Sequence, residues 1–188
     1  MDVLEVIKRR RTIKASELRS DPVPRALLVE LLEAANWAPS HGKTYPWRFV
    51  VFEGPARREL FETLVSVSSE DGDVIGPADP RRAKLERSIM NAPVVIGVGC
   101  VPTVSPKILE HEEVAAVAMA VQNMHLVATE RGLGLAWSSG KAARDPRVAA
   151  FFGLPEHGRS LGILVLGWPK GEWPSAERPS IEERVVWR

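Results

Sequence analysis

The chain has 188 residues, 45% hydrophobic and 26% charged, with a formal net charge of +1. Those values suit one soluble globular domain, and the near-neutral charge argues against a nucleic-acid or membrane partner. A single cysteine, Cys100, excludes an intramolecular disulfide and fits a reducing compartment.

The opening stretch MDVLEVIKRRRTIK places apolar residues before the charges, and no cleavage-like segment follows. No secretory signal is therefore expected, and a cytoplasmic location is the default. Asp2 and Glu5 form a capping pair around Val3, Leu4, Val6 and Ile7, which predicts a short first helix. It runs into Lys8, Arg9, Arg10, Arg11 and Lys14, cations that repel one another unless solvated or paired with an anion. Two readings stand: a solvated charged turn, or a phosphate clamp in which Arg and Lys act with a hydroxyl neighbour.

Pro24 suits the first turn of a helix in which Leu27, Leu28, Leu31, Leu32 and Ala35 recur at helical spacing and which stops before Pro39. A polar loop, Ser40-His41-Gly42-Lys43-Thr44-Tyr45, follows between Trp37 and Trp47. It leads into WRFVVF, Trp47–Phe52, a strand by its β-branched and aromatic content. The loop is either a connector whose tryptophans are core or a grip for a flat ligand.

Beyond the Gly54-Pro55 turn, residues 57–68 read as a helix with Leu60, Phe61, Leu64 and Val65 inward. Residues 69–80, rich in Gly, Pro and Asp, read as a surface loop. A charged helix over 81–90 precedes VVIGVGCV, apolar on both faces and so a central buried strand. Residues 112–131 form the most hydrophobic helix, closed by Arg131 and Gly132 and suited to the core or to a subunit interface. Its run Val114–Val121 is the longest unbroken apolar stretch, far short of the roughly 20 residues that span a bilayer.

Gly132–Gly140, GLGLAWSSG, is a short strand of small residues. Asp145-Pro146 opens a helix ending near Gly153, Leu161–Gly167 is a second buried strand, and residues 170–188 form an extended tail. The expectation is a single α+β domain over residues 1–188, with about four strands and six helices.

Several chemistries lack their residues. His41, His111, His125 and His157 are scattered, without metal-site spacing. Ser138-Ser139 lacks the frame of a nucleophile elbow, and no phosphate-binding P-loop occurs. Gly132-Leu133-Gly134 follows a helix rather than a strand, so a dinucleotide fingerprint fails on context. Cys100, inside an apolar strand, reads as an inert buried thiol.

Four segments together resemble the FMN-dependent nitroreductase family: RRTIK (Arg10–Lys14), APSHGKTYPWRFVVFEG (Ala38–Gly54), GLGLAWSSG (Gly132–Gly140) and LGILVLGWP (Leu161–Pro169). The tail ERPSIEERVVW is similar to the family's end. The resemblance implies a central, mostly antiparallel sheet flanked by helices, in an intertwined homodimer with FMN at the subunit interface. NADH or NADPH would donate hydride, and a nitro compound, quinone or similar small molecule would accept it.

By the same resemblance, Arg10 and Lys14 would hold the FMN phosphate and ribityl chain, with Thr12 as hydroxyl donor and Arg11 beside them. Ser40, His41 and Lys43 would pass beside the isoalloxazine ring, that of the other subunit's flavin. Trp137, Ser138 and Ser139 would run along one flavin face. Trp37 and Trp137 would line the pocket, while Trp47 belongs to the core. His41 is open between proton donor and simple contact. Two alternatives are a flavin enzyme of the same fold with another reaction, such as dehalogenation or metabolite dehydrogenation, and a non-catalytic flavin- or nucleotide-binding regulator.

Overall fold

The computed structural model describes residues 2–69, 73–105 and 107–188. Six α-helices and four strands are found among them: α1 (Val3–Arg9), α2 (Arg25–Asn36), β1 (Trp47–Glu53), α3 (Ala56–Ser68), α4 (Pro80–Met90), β2 (Val94–Cys100), α5 (Glu110–Glu130), β3 (Gly134–Ser138), α6 (Pro146–Phe151) and β4 (Arg159–Gly167). The strands form one sheet in the order β1-β2-β4-β3, every neighbouring pair antiparallel. The expected mixed fold with an antiparallel sheet is therefore the observed one. Residues 70–72 of the expected surface loop lie outside the described residues.

The period-two geometry of strands sends side chains to alternate faces. Val94, Ile96, Val98 and Cys100 of β2 join one core, with Leu28, Leu31 and Ala35 of α2 and Ala116, Val117, Ala120 and Met124 of α5. Val95 of β2 with Ile163 and Val165 of β4 joins the other, with Leu60, Phe61 and Leu64 of α3, Ile89 of α4 and Val148 of α6. Sheet residues thus pack on both faces, which accounts for the apolar runs of β2 and β4. Gly97 belongs to this packing, since a Cβ there would lie 2.6 Å from the Phe152 ring.

The helix ends follow their caps. Asp2 accepts the Glu5 N–H while the Glu5 carboxylate accepts the Asp2 N–H, closing the expected capping box of α1. Asp79 and Asp145 cap α4 and α6, each with proline in the first turn. Helix α5 starts at Glu110, earlier than the hydrophobic pattern indicated, because the Glu112 carboxylate accepts the Leu109 N–H at 3.0 Å. Strand β4 begins at Arg159, ahead of its apolar run, because its ladder with β2 extends to the Arg159–Cys100 pair.

The outer edge of β3 is covered by the N-terminal segment. Thr12 bridges Leu135 in parallel register, and the Ile13 N–H donates to the Leu135 carbonyl at 3.2 Å. Gly134 permits the approach, since a Cβ there would meet Ile13 at 2.8 Å. The C-terminal stretch then lies along this segment. Arg19 donates to the Trp168 carbonyl, Trp173 donates its indole N–H to the Arg9 carbonyl at 2.7 Å, and the Arg9 guanidinium stacks 5.3 Å from the Trp173 ring. Among the described residues no helix is long and apolar enough to cross a membrane.

Candidate active site

A cavity of about 640 Å³ opens between the N-terminal segment, α4 and the end of β3, a volume in the range of small-molecule sites. Alternation of the extended backbone decides which basic-turn residues reach it. Ile13 is buried at 2% exposure, whereas its neighbours Thr12 and Lys14 line the cavity. Leu64, Leu85, Ile89, Ile163 and Val165 supply apolar wall, and Trp137, Ser138 and Gly140 run along one side. The Trp137 indole N–H donates to the Leu161 carbonyl at 3.1 Å, which fixes the ring.

Leu161 sits in the irregularity where the β2–β4 register shifts. The next residue, Gly162, has φ of +120°, and a Cβ there would fall 2.2 Å from the Ser138 carbonyl oxygen. Only glycine tolerates that backbone at such close approach. The bulge therefore sets where Ser138 leaves the sheet to border the cavity.

The cavity's charge is one-sided. Lys14, Lys84, Arg87 and Lys141 line it, and among the described residues no carboxylate does. Outside the lining, Arg10 is part-buried. Its pKa is lowered by burial and then by the charges of Arg178 and Arg11. Arg11 donates to the carbonyls of Lys8 and Arg10, both at 2.7 Å, and to the Ala176 carbonyl at 3.2 Å. Its guanidinium thus secures the end of α1 and the C-terminal stretch. His125, buried on α5, is pushed down to about 4 by burial and then by Arg10, and so is neutral at pH 7.

The loop after α2 lies elsewhere on the chain. Gly42, Lys43 and Tyr45 all have positive φ, at 64°, 54° and 49°, a costly conformation for the two non-glycine residues. A set of local bonds imposes it. The Ser40 hydroxyl accepts the Tyr45 N–H at 3.0 Å and meets the Thr44 hydroxyl at 3.1 Å. The Lys43 N–H donates to the Ser40 carbonyl, and Arg48 donates to the Tyr45 carbonyl, each at 3.0 Å. His41 Nδ1 lies 3.0 Å from Glu112 Oε2 at the start of α5. Trp37, just before the loop, is 86% exposed, while Trp47 is buried at 7%.

The model of the Nitroreductase family matches residues 7–168. The chain belongs to the nitroreductase family. It is 30% identical over 190 residues to the "Putative NAD(P)H nitroreductase YfhC" of Bacillus subtilis (strain 168), covering 96% of this chain and 88% of that one. A nitroreductase-like family protein from Bacillus cereus superposes with a TM-score of 0.86 at 28% identity, covering 100% of this chain and 96% of the other. The FMN and NADPH-dependent nitroreductase NfnB from Sphigopyxis sp. strain HMH shares the fold, with a TM-score of 0.78 at 21% identity over 100% and 99% of the two chains.

Within this nitroreductase-family chain, Thr12, Lys14, Trp137 and Ser138 meet at one cavity. Ser139 follows them without joining the lining, and Arg10 and Arg11 stand outside it. Trp37, Ser40, His41 and Lys43 form a second group away from it. Sequence reading missed Ser16, Lys84, Arg87, Ser88 and Lys141 in the lining, and Arg178 beside Arg10. Lys84, Arg87 and Ser88 carried a readable signal, because spacings of three and four residues put them on one helix face. Arg178 carried none, since its place depends on how the C-terminal stretch lies on the fold.

Proposed function

We propose that this nitroreductase-family oxidoreductase holds FMN in the cavity beside β3 and uses it to pass reducing equivalents from NADH or NADPH to a nitro compound, quinone or similar acceptor. The supporting observation is the donor set of the cavity: apolar and aromatic walls suited to a flat ring, hydroxyls at Thr12 and Ser138, and cations with no carboxylate beside them among the described residues. A flavin phosphate is an anion, and each charge-assisted bond to it contributes roughly 1.5–3 kcal/mol. When bound, FMN supplies the hydride and electron chemistry itself, so the protein's tasks are binding, orientation and proton placement.

Lys14 and Thr12 would hold the phosphate and ribityl end, with Arg10 and Arg178 adding positive potential from outside the lining. The backbone from Trp137 to Gly140 would lie along the ring, held in place by the Trp137–Leu161 bond and the Gly162 bulge.

The same reading takes the protein as a homodimer in which the Ser40–Lys43 loop of one subunit completes the cavity of the other. Two observations support it. The loop and the cavity are separate within one chain, although the loop's strained backbone is held by many local bonds. Exposed apolar side chains also recur on the helices packed together on the loop's side: Leu4 and Ile7 of α1, Trp37 after α2 and Met119 of α5. Exposed clusters of that kind mark interaction surfaces.

The visible spectrum of the purified protein tests the flavin assignment. A yellow protein that bleaches on adding NADH or NADPH without oxygen is the expected result. A colourless protein that also fails to take up added FMN would refute it.

A further inference from the structure

We propose that His41 supplies the proton that completes reduction of the acceptor, giving it up from Nε2 to an acceptor oxygen, and that Glu112 is the residue that positions it. The proposal rests on the flavin and homodimer readings above, which bring the Ser40–Lys43 loop of one subunit to the cavity of the other.

The balance of the reaction requires the proton. A quinone that takes hydride, which is two electrons and one proton, needs one further proton on its other oxygen to become the hydroquinone. A nitro group that takes hydride likewise needs one to yield a nitroso group and water. The cavity offers no side chain suited to that step. Its ionisable lining is Lys14, Lys84, Arg87 and Lys141, and among the described residues no histidine, carboxylate, tyrosine or cysteine lines it. Lysine and arginine ordinarily keep their protons at pH 7, and they are the groups that hold an anionic cofactor. An imidazole is the side chain that exchanges a proton in that range, and the loop carries one.

Three sets of contacts hold His41 in place. Its Nδ1 lies 3.0 Å from Glu112 Oε2. The following residue, Gly42, packs on Ile108 so closely that a Cβ there would fall 2.6 Å from the isoleucine side chain. The preceding residue, Ser40, is tied to Thr44 and Tyr45. Glu112 is itself fixed, because Oε2 also accepts the Leu109 N–H at 3.0 Å. That bond, and then His41, hold its pKa below the usual carboxylate range. An ionised carboxylate only accepts, so the shared proton sits on Nδ1. Nε2 is then the position that gains and gives up a proton. The His41 side chain is 56% exposed, so water reloads it after each transfer, while Nδ1–H stays on Glu112. An exposed pair of this kind adds little to stability. Its effect is on the tautomer and direction of the ring, as with the carboxylate of a catalytic triad.

FMN-saturated protein is reduced without oxygen by NADH or NADPH, then mixed with menadione or with ferricyanide in a stopped-flow instrument. Menadione takes up hydride and a proton, whereas ferricyanide takes one electron and no proton. H41Q should slow reoxidation by menadione about a hundredfold, and leave reoxidation by ferricyanide and reduction by the nicotinamide within about twofold. E112Q keeps the imidazole and should slow the menadione step about tenfold, with the ferricyanide step unchanged. Independently of turnover, ¹⁵N NMR of histidine-labelled protein should show neutral His41 as the Nδ1–H tautomer, relaxed toward Nε2–H in E112Q.

An unchanged menadione step in yellow H41Q protein would overturn the proposal, by making water the direct proton source, and leave the flavin reading intact. Equal slowing with menadione and ferricyanide would also overturn it, since that marks a loosened loop. So would a native His41 found as the Nε2–H tautomer. A protein that takes up no FMN would refute the flavin reading, and this proposal with it.

Discussion

His41 Nδ1 sits 3.0 Å from Glu112 Oε2, and that same oxygen accepts the Leu109 N–H at 3.0 Å. One carboxylate therefore caps α5 and pins the loop that precedes β1. The Glu112 pKa is held below its usual value, first by the Leu109 N–H and then by His41, so it is ionised at neutral pH. An imidazole whose Nδ1 faces a carboxylate presents its Nε2 outward, which suits a contact to a ligand edge.

The loop reading is tested by H41A and E112Q. If the pinned loop completes a flavin site, H41A should raise the FMN dissociation constant about tenfold, as expected for loss of one good polar contact. E112Q should give a smaller rise, because the loop is loosened but the imidazole remains. Fluorescence titration of apoprotein with FMN measures both, and unchanged affinity in H41A would exclude a flavin contact by this residue.

Gly162 offers a backbone test. G162A places a methyl group at φ of +120° and 2.2 Å from the Ser138 carbonyl oxygen. Either β3 or β4 must move, at a cost of about 2–4 kcal/mol. A lowered urea midpoint at unchanged slope is expected. A variant as stable as the native chain would mean that the bulge does not hold Ser138 in place.

His125 sets a pH dependence. Its pKa falls from 6.5 to about 4 on folding, through burial and then the Arg10 charge. The unfolded chain therefore binds the extra proton first as pH drops. Stability from this group is complete above about pH 6.5 and is lost progressively down to about pH 4, in total about 3 kcal/mol. Thermal melts from pH 7 to pH 5 should show native protein losing stability and H125L losing less. Parallel losses would exclude His125 as the source.

Cys100 should be unreactive in the folded protein. It is fully buried, and burial, then the carboxylates of Glu113 and Glu110, pushes its pKa up to about 11. A buried thiol with so little thiolate is a poor nucleophile. A disulfide reagent such as DTNB should release no thiolate signal from native protein and one equivalent after denaturation. Rapid native reaction would contradict the packing of β2.

Much of the fold was legible along the chain because the signals are local. The Asp2–Glu5 capping pair, Asp145-Pro146 at a helix start and the apolar runs of β2 and β4 each act within a few residues. Boundaries slipped where a partner from elsewhere in the chain extended an element, as Cys100 did for β4.

The motifs at Arg10–Lys14, Ser40–Lys43 and Trp137–Ser139 were legible as chemistry, through residue type and resemblance. Their assembly was not. Which side of the extended Thr12-Ile13-Lys14 segment meets the cavity is decided by its bridge to β3 and by Gly134, which admits Ile13 and turns its neighbours outward. The meeting of Lys84 and Arg87 with the β3 side, and of Arg178 with Arg10, comes from helix packing and the course of the C-terminal stretch. Sequence by itself determined which elements form and which residues bear charge or hydroxyl, because propensity, capping and periodicity are short-ranged. Only the tertiary structure decided which charges meet around one cavity, because their assembly depends on distances between segments far apart in the chain.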